Sequence, residues 1–121
     1  MKTKTLFIIL IFVLAILIIT DSFVSASDTE LLFRSVRRDD YFKVKRLIEE
    51  GADVNAQNNY GDTALMIASK RGHTEVAKLL IEEGADVNAQ DTLGNTALLW
   101  ASRSGHTDIV KLLIEAGAKY Y

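Results

Sequence analysis

Hydrophobic residues follow two different patterns in this chain, one at the amino terminus and one repeated through the remainder. Residues 6–19 form an unbroken apolar run, with two lysines before it and the small-x-small end Val-Ser-Ala after it at 24–26. A basic start, an apolar centre of about 7 to 15 residues and such an end are typical of a secretory signal peptide. The pattern therefore predicts a signal peptide over residues 1–26, cleaved after Ala26.

An uncleaved membrane anchor is the alternative for the same segment. A spanning helix needs about 20 apolar residues, and the run of 14 ends at Thr20. Phe23 and Val24 extend the apolar stretch, so an anchor over residues 6–24 stays open. Both interpretations place residues 27–121 outside the cytoplasm, either periplasmic or secreted. The isoleucine-rich leader and the lack of cysteine favour a bacterial source.

Beyond residue 60 the apolar positions recur at spacings of three and four, which predicts amphipathic helices. Val76, Leu79 and Leu80 form one such stripe, and an equivalent stripe returns 33 positions later. Each stripe ends near a glycine, and the polar segment after it is predicted to turn the chain back.

A shorter helix is predicted before each amphipathic helix. Thr63 and Thr96 are suited to cap these short helices, because a threonine hydroxyl accepts a hydrogen bond from an otherwise unpaired backbone N–H. Gly72 and Gly105 are predicted to end them, since glycine adopts the left-handed conformation of a C-cap without strain.

The whole unit repeats at an interval of 33 residues. The segment GADVNAQ occurs at residues 51–57 and again at 84–90, and residues 60–92 align closely with 93–121. Residues 27–59 match well only in their second half. A helix pair of this size has two apolar faces and cannot cover both by itself, whereas stacked copies cover one another. The sequence therefore predicts an all-α solenoid of about three units.

The pattern G-x-T-A-L-x-x-A-x-x-x-G-H-T-x-x-x-K-L-L-I-E-x-G-A-D-V-N-A-Q resembles the ankyrin repeat, a β-turn followed by two antiparallel helices. The resemblance covers essentially all of residues 27–121 and implies an N-terminal capping repeat (27–59), a second repeat (60–92) and a C-terminal repeat (93–121). The family's Thr-Pro-Leu-His tetrad is altered in both copies, with alanine in place of proline and with Met66 or Leu99 in place of histidine. These departures leave the fold assignment intact.

The two ends of the predicted stack differ in polarity. Lys43 and Arg46 occupy the first-repeat positions of Val76 and Leu79, which is expected of a terminal repeat that needs a polar face. The last helix keeps its apolar residues, although only four residues follow Gly117. Either the closing tyrosines cover that face, or it stays open for a partner or for self-association.

Composition excludes several kinds of chemistry. The chain of 121 residues contains no cysteine, so disulfides, thiol catalysis and a lipid-attached cysteine are impossible. Its formal charge of −2 becomes −3 without residues 1–26, and nucleic-acid binders carry a pronounced basic surface instead. Neither a glycine-rich phosphate loop nor the context of an activated serine is present. We expect no enzymatic activity, no cofactor and no nucleic-acid partner.

His73 and His106 are the candidates for a metal site or an acid/base pair, since a carboxylate follows each two residues later. Helix layers stack about 8 to 10 Å apart, which is too far for two equivalent imidazoles to share a zinc ion with bonds of about 2.1 Å. The structural interpretation, in which each histidine ties down the local backbone, is therefore preferred, and no metal is expected.

Basic residues cluster in the first repeat, which holds half of those in residues 27–121. Attraction to anionic lipid or to an acidic partner is one interpretation, and a solvated polar cap is the other. The cap is favoured because acidic residues are interleaved with the basic ones. The basic residues are Arg34, Arg37, Arg38, Lys43, Lys45 and Arg46.

Binding to another protein is the function that the ankyrin resemblance implies. Turn tips and first helices of such repeats form a concave surface, with variable residues at fixed places. Trp100 is expected either to pack in the core or in the wall of this concave surface, or to stand half-exposed as an anchor for a partner. A membrane-tethered scaffold and a chaperone-like protective partner of an exported enzyme are the alternatives. The candidate protein-binding residues are Gln57, Asn59, Tyr60, Asp62, Lys70, Arg71, Gln90, Thr92, Leu93, Asn95, Trp100, Arg103 and Ser104.

Overall fold

The computed structural model describes the backbone of residues 2–120 and the side chains of residues 3–15 and 28–120. The described chain contains helices and no strand, which confirms the predicted all-α class. The helices are α1 (Lys2–Arg37), α2 (Tyr41–Glu49), α3 (Ala64–Arg71), α4 (Thr74–Glu82), α5 (Ala97–Ser104) and α6 (Thr107–Glu115).

The helices form three pairs, and each pair packs on the next. The inner helices α1, α3 and α5 contact one another in that order, and the outer helices α2, α4 and α6 do the same. One continuous hydrophobic core runs through all three pairs. Apolar stripes at helical spacing thus become the interfaces between repeats, as expected of stacked units. The largest fully buried apolar side chains are Leu32, Val36, Val44, Leu65, Met66, Val76, Leu80, Ile109 and Leu113.

The predicted caps of the short inner helices are confirmed. The hydroxyl oxygens of Thr63 and Thr96 each accept a hydrogen bond, at 3.3 Å, from the backbone N–H three residues later. Gly72 and Gly105 end the same helices with φ of 76° in both cases, a left-handed conformation that glycine adopts without a Cβ clash. The outer helices α4 and α6 end two residues before the glycines that were predicted to stop them.

The first repeat replaces glycine with aspartate at the turn between its helices. Asp39 stands at the position of Gly72 and is the one non-glycine residue with a positive φ, 56°, in the described backbone. Aspartate is among the few residues that enter this left-handed region. Asp40 then caps α2 by accepting a hydrogen bond from the N–H of Lys43 at 3.2 Å.

The two ends of the stack expose different surfaces. In the first repeat Lys43 is half-buried and Arg46 is exposed, so the polar N-terminal face is present as predicted. At the other end Ile114 is 36% exposed, whereas its equivalent Ile81 is covered in part by the third repeat. Tyr120 is 74% exposed and Tyr121 lies outside the described residues, so both alternatives for this face stay predictions. Self-association through this face stays a prediction.

The leader segment forms part of a long helix. Helix α1 continues without a break from Lys2 to Arg37, so the predicted leader and the first inner helix share one helix. Among the described residues, none of the helices combines the length and the hydropathy needed to cross a membrane. The predicted cleavage position after Ala26, and the part of the apolar run beyond Ala15, lie outside the residues whose side chains are described.

Replacement of Gly72 by alanine should destabilise the fold more than the same change at Gly105. Both glycines have φ of 76°, and an alanine in this region costs about 1 to 2 kcal/mol. A Cβ at Gly72 would also lie 2.6 Å from Cε1 of His106, whereas open space surrounds Gly105. We expect Gly72→Ala to lower the free energy of unfolding by about 1 kcal/mol more, because the displaced ring loses a hydrogen bond. Urea unfolding followed by circular dichroism measures both variants. Equal losses of stability in the two variants would contradict the close contact between Gly72 and the His106 ring.

Candidate protein-binding site

Two exposed turn tips project between successive repeats, and each is held by one polar side chain. The Oδ1 atom of Asn58 accepts hydrogen bonds from the backbone N–H groups of Tyr60 and Asp62, at 2.9 and 3.0 Å. Asp91 accepts the two equivalent N–H groups of the next tip, both at 2.9 Å. As a result, Tyr60 and Leu93 stand at the tips with 73% and 84% of their surface exposed.

Hydrogen bonds also fasten the two tips to each other. The backbone N–H and the hydroxyl of Thr92 both donate to the carbonyl oxygen of Tyr60, each at 3.1 Å. The amide of Gln57 donates to the carbonyl oxygens of Gly61 and Gln90, at 2.9 and 3.0 Å. The tips are therefore fixed before any partner arrives.

Trp100 is half-buried on inner helix α5, beside residues of the second repeat. Lys70 Nζ lies 4.2 Å from the centroid of the Trp100 ring and 2.9 Å from Oδ2 of Asp62. The guanidinium carbon of Arg103 lies 5.7 Å from the same centroid. The indole N–H donates to Oδ2 of Asp91 at 3.1 Å. These ionic, cation–π and hydrogen-bonding contacts link the second repeat to the third and hold Trp100 half-buried.

The pKa of Asp91 reflects its place in this network. Burial raises the pKa of this carboxyl, but hydrogen bonds from the backbone N–H groups of Asn95 and Leu93 and from the indole of Trp100 outweigh burial. The pKa therefore lies below its ordinary value of 3.8. The carboxylate form is the one that these donors stabilise.

A cavity of about 230 Å³ opens between the first and second repeats, beside the Tyr60 tip. It combines three basic groups, one carboxylate and a tyrosine ring. A second hollow, of about 360 Å³, is lined by one face of the leader helix alone, and a third lies between the outer helices α4 and α6. Neither of these two contains such a convergence of side chains. The residues that line the 230 Å³ cavity are Arg37, Asn58, Tyr60, Asp62, Ile67, Lys70 and Arg71.

Comparison with known proteins decides the family. A family model of ankyrin repeats, in three copies, matches residues 32–121. The chain belongs to the ankyrin repeat family. None of the curated proteins matches this chain. Ankyrin repeats are typically non-catalytic and mediate binding between proteins, so the chain is a protein–protein interaction module.

The two histidines of the ankyrin repeats connect one repeat to the one before it. His73 Nε2 lies 3.2 Å from the carbonyl oxygen of Arg37, and His106 Nε2 lies 3.3 Å from that of Lys70. Because a carbonyl oxygen only accepts, Nε2 carries the proton in both rings. The structural interpretation of these histidines is confirmed. No cluster of three potential metal ligands occurs in the part of the chain that the structure describes.

The predicted binding residues of the ankyrin surface divide into two groups. One group is exposed and contacts solvent, and the other is engaged in holding the tips and the wall. Whether either group binds a partner stays a prediction. The exposed group is Asn59, Tyr60, Arg71, Gln90, Leu93 and Ser104. The engaged group is Gln57, Asp62, Lys70, Thr92, Asn95, Trp100 and Arg103.

Arg37, Asn58 and Ile67 line the cavity but were absent from the predicted set. The repeat interval could have indicated Arg37, which lies 33 positions before Lys70. It was assigned to the polar cap of the first repeat instead, although it lines the cavity.

Replacement of Asp91 by asparagine should remove a pH-dependent part of the stability. Asparagine occupies the equivalent position 33 residues earlier, as Asn58, so the variant keeps an amide oxygen for the two backbone N–H groups. It loses the charge and the acceptor for Trp100, which we expect to lower the free energy of unfolding by about 1 kcal/mol at pH 7.

The sign of the pH effect follows from the lowered pKa of Asp91. The stability that the carboxylate adds is fully present above the pKa of aspartate in the unfolded chain, about 3.9. It is lost as the pH falls through the lower pKa of Asp91 in the folded protein. The difference in the free energy of unfolding between the unchanged protein and Asp91→Asn should therefore shrink below pH 4. Urea unfolding across a pH series measures it, and a difference that stays constant with pH would contradict this role.

Proposed function

We propose that this ankyrin protein works outside the cytoplasm, where it binds a protein partner in its concave groove and performs no catalysis of its own. The groove is defined here as the tips Tyr60 and Leu93, the wall residue Trp100, and the basic residues Arg71 and Arg103 beside them. The observation that carries the proposal is the pair of exposed apolar tips held in fixed positions against a half-buried indole.

The energetics of the groove suit a binding surface. Tyr60 and Leu93 are largely exposed in the free protein, and full burial of such a side chain contributes about 1.5 to 3 kcal/mol. Because hydrogen bonds already fix both tips, a partner gains this free energy without first ordering the loops. Tyrosine, tryptophan and arginine are also the residue types enriched at binding hot spots.

Several observations support the absence of catalysis. The proton-bearing Nε2 of each histidine faces a backbone carbonyl oxygen, so neither ring presents that nitrogen to a substrate. The side chains of Ser69 and Ser35 donate to carbonyl oxygens of their own helices, which is a structural use of serine.

Export is supported by the residues that follow the predicted cleavage position. Ser27 and Glu30 have the spacing of a capping box, in which serine and a glutamate three residues later pair reciprocally with backbone N–H groups. Such a cap would start the first inner helix at Ser27 once residues 1–26 are removed. A membrane-tethered scaffold, in which residues 6–24 are retained as an anchor, is the second candidate. A chaperone-like partner of an exported enzyme would use the same groove.

Loss of the apolar tips should weaken capture of the partner without unfolding the protein. We expect the double variant Tyr60→Ala, Leu93→Ala to bind at least about tenfold more weakly, a loss of about 1.4 kcal/mol or more. Phe42→Ala is the matched control, because Phe42 is 81% exposed but lies on outer helix α2. Quantitative co-purification from the exporting cells, followed by titration with the recovered partner, measures the effect. Equal capture by the control and the double variant would contradict binding in the groove.

Cleavage should produce a mature chain that begins at Ser27. Mass spectrometry of the protein recovered from the periplasm or medium measures its amino terminus. Ala26→Phe should block processing, because the cleavage site requires a small residue, whereas Ala26→Gly should be processed normally. A full-length chain that stays in the membrane pellet after a carbonate wash would instead establish the tether.

A further inference from the structure

We infer that the groove takes an extended acidic segment of its partner, with one carboxylate seated between Arg37 and Arg71 in the 230 Å³ cavity. This inference rests on the proposed function and adds the chemistry of the partner to it. Three observations carry it: the segregation of charge between inner and outer helices, the unpaired guanidinium groups of the cavity, and the apolar tips beside them.

In the second and third repeats charge is segregated between the inner and outer helices, whereas outer helix α2 of the first repeat contains three basic residues and one acidic residue. The inner helices α3 and α5 contain three basic residues and no acidic residue. The outer helices α4 and α6 contain two basic and four acidic residues. The chain as a whole carries a formal charge of −2, so the basic inner layer is a local feature and does not follow from the composition.

Compensation of the helix dipole does not account for these basic residues. Cations stabilise the carboxyl end of a helix, and the basic residues of α3 and α5 lie in the last turn. Helices α4 and α6 have no basic residue in their last turn, and both end in glutamate. Helices of similar length therefore form in this protein without such compensation. Lys70 and Arg103 contact the Trp100 ring, so Arg71 is the basic residue of α3 and α5 that neither feature explains.

The cavity retains positive charge after its internal ion pair is counted. Three basic groups and one carboxylate line it. Lys70 lies 2.9 Å from Asp62, whose side chain is only 13% exposed, so these two charges neutralise each other. In the described part of the chain Arg37 and Arg71 have no ion-pair partner. Two guanidinium groups thus remain for an incoming carboxylate, which arginine binds in a bidentate geometry.

The repeat spacing fits an extended chain. Arg37, Lys70 and Arg103 stand at the same place in three successive repeats, 33 residues apart, and of these three Lys70 is already paired with Asp62. Helix layers stack about 8 to 10 Å apart, and an extended chain rises about 3.3 Å per residue. Every third residue of an extended segment therefore meets the next repeat. Side chains between the carboxylates would contact the apolar tips Tyr60 and Leu93.

A protein segment fits this surface better than a lipid membrane or a nucleic acid. The exposed tips supply apolar contacts beside the charges, which match the mixed side chains of a peptide. Anionic vesicles and peptides are consequently separate arms of the test.

The test uses the full chain and a short tryptophan-free peptide with glutamate at every third position and leucine or tyrosine between. Trp100 is the only tryptophan and lies in the groove wall, so its fluorescence reports binding directly. The glutamate peptide should bind, and its affinity should fall as salt is added. A peptide with glutamine in place of glutamate should bind at least tenfold more weakly, and a lysine version should not bind.

Matched variants locate the binding. The double variant Arg37→Gln, Arg71→Gln should bind the glutamate peptide at least tenfold more weakly. Lys78→Gln with Lys111→Gln removes the same charge from the outer helices α4 and α6 and should change binding less than twofold. Circular dichroism confirms that both double variants fold.

Three outcomes would overturn the inference: equal binding of the glutamate and glutamine peptides, equal effects of the two double variants, or arginine-dependent binding of phosphatidylglycerol vesicles without binding of the glutamate peptide. If the tips are still required for partner capture in any of these cases, only the inference of an acidic partner segment fails, and the proposed function stands. If capture is independent of the tips, the proposed function fails as well.

Discussion

The burial of one repeat against the next is the interaction on which the rest of this molecule depends. A two-helix unit of about 33 residues has apolar surface on both sides and gains its stability from neighbours. Helix α3, with a repeat on each side, buries six of its eight residues, whereas the equivalent α5 at the end of the stack buries three. The same sequence motif therefore acquires its core only through its place in the stack.

Hydrogen bonds between repeats fix the register in which the apolar faces pack. Each histidine reaches back to a carbonyl oxygen of the preceding inner helix, and Asn55 and Asn88 form equivalent bonds to the following repeat on the other side of the turn. Because these bonds have defined partners, a slip between repeats would leave several of them unmade. The register in turn places the Tyr60 tip and its neighbour side by side, which gives the groove its shape.

The sequence predicted those features that are local to one repeat. The threonine caps, the left-handed glycines and the exposure of Tyr60 and Leu93 follow from positions within a single copy, so the 33-residue interval was sufficient to find them. The network around Trp100 was not predicted, because it joins residues that differ between copies. Asn58 and Ile67 stand 33 positions before Asp91 and Trp100, and only the stacking geometry shows that the two later residues meet. Arg37 was left in the cap although the repeat interval, which places it 33 positions before Lys70, could have indicated it.

The most direct test of stacking is whether the repeats unfold together. Trp100 is the only tryptophan and reports on the third repeat and its contact with the second, whereas far-ultraviolet circular dichroism reports on all the helices. If burial between repeats holds the molecule together, urea unfolding followed by the two probes should give one coincident transition, with the same midpoint and slope. A fluorescence transition completed at lower urea, with most helical signal retained, would show that the third repeat does not depend on its neighbours and would contradict this mechanism.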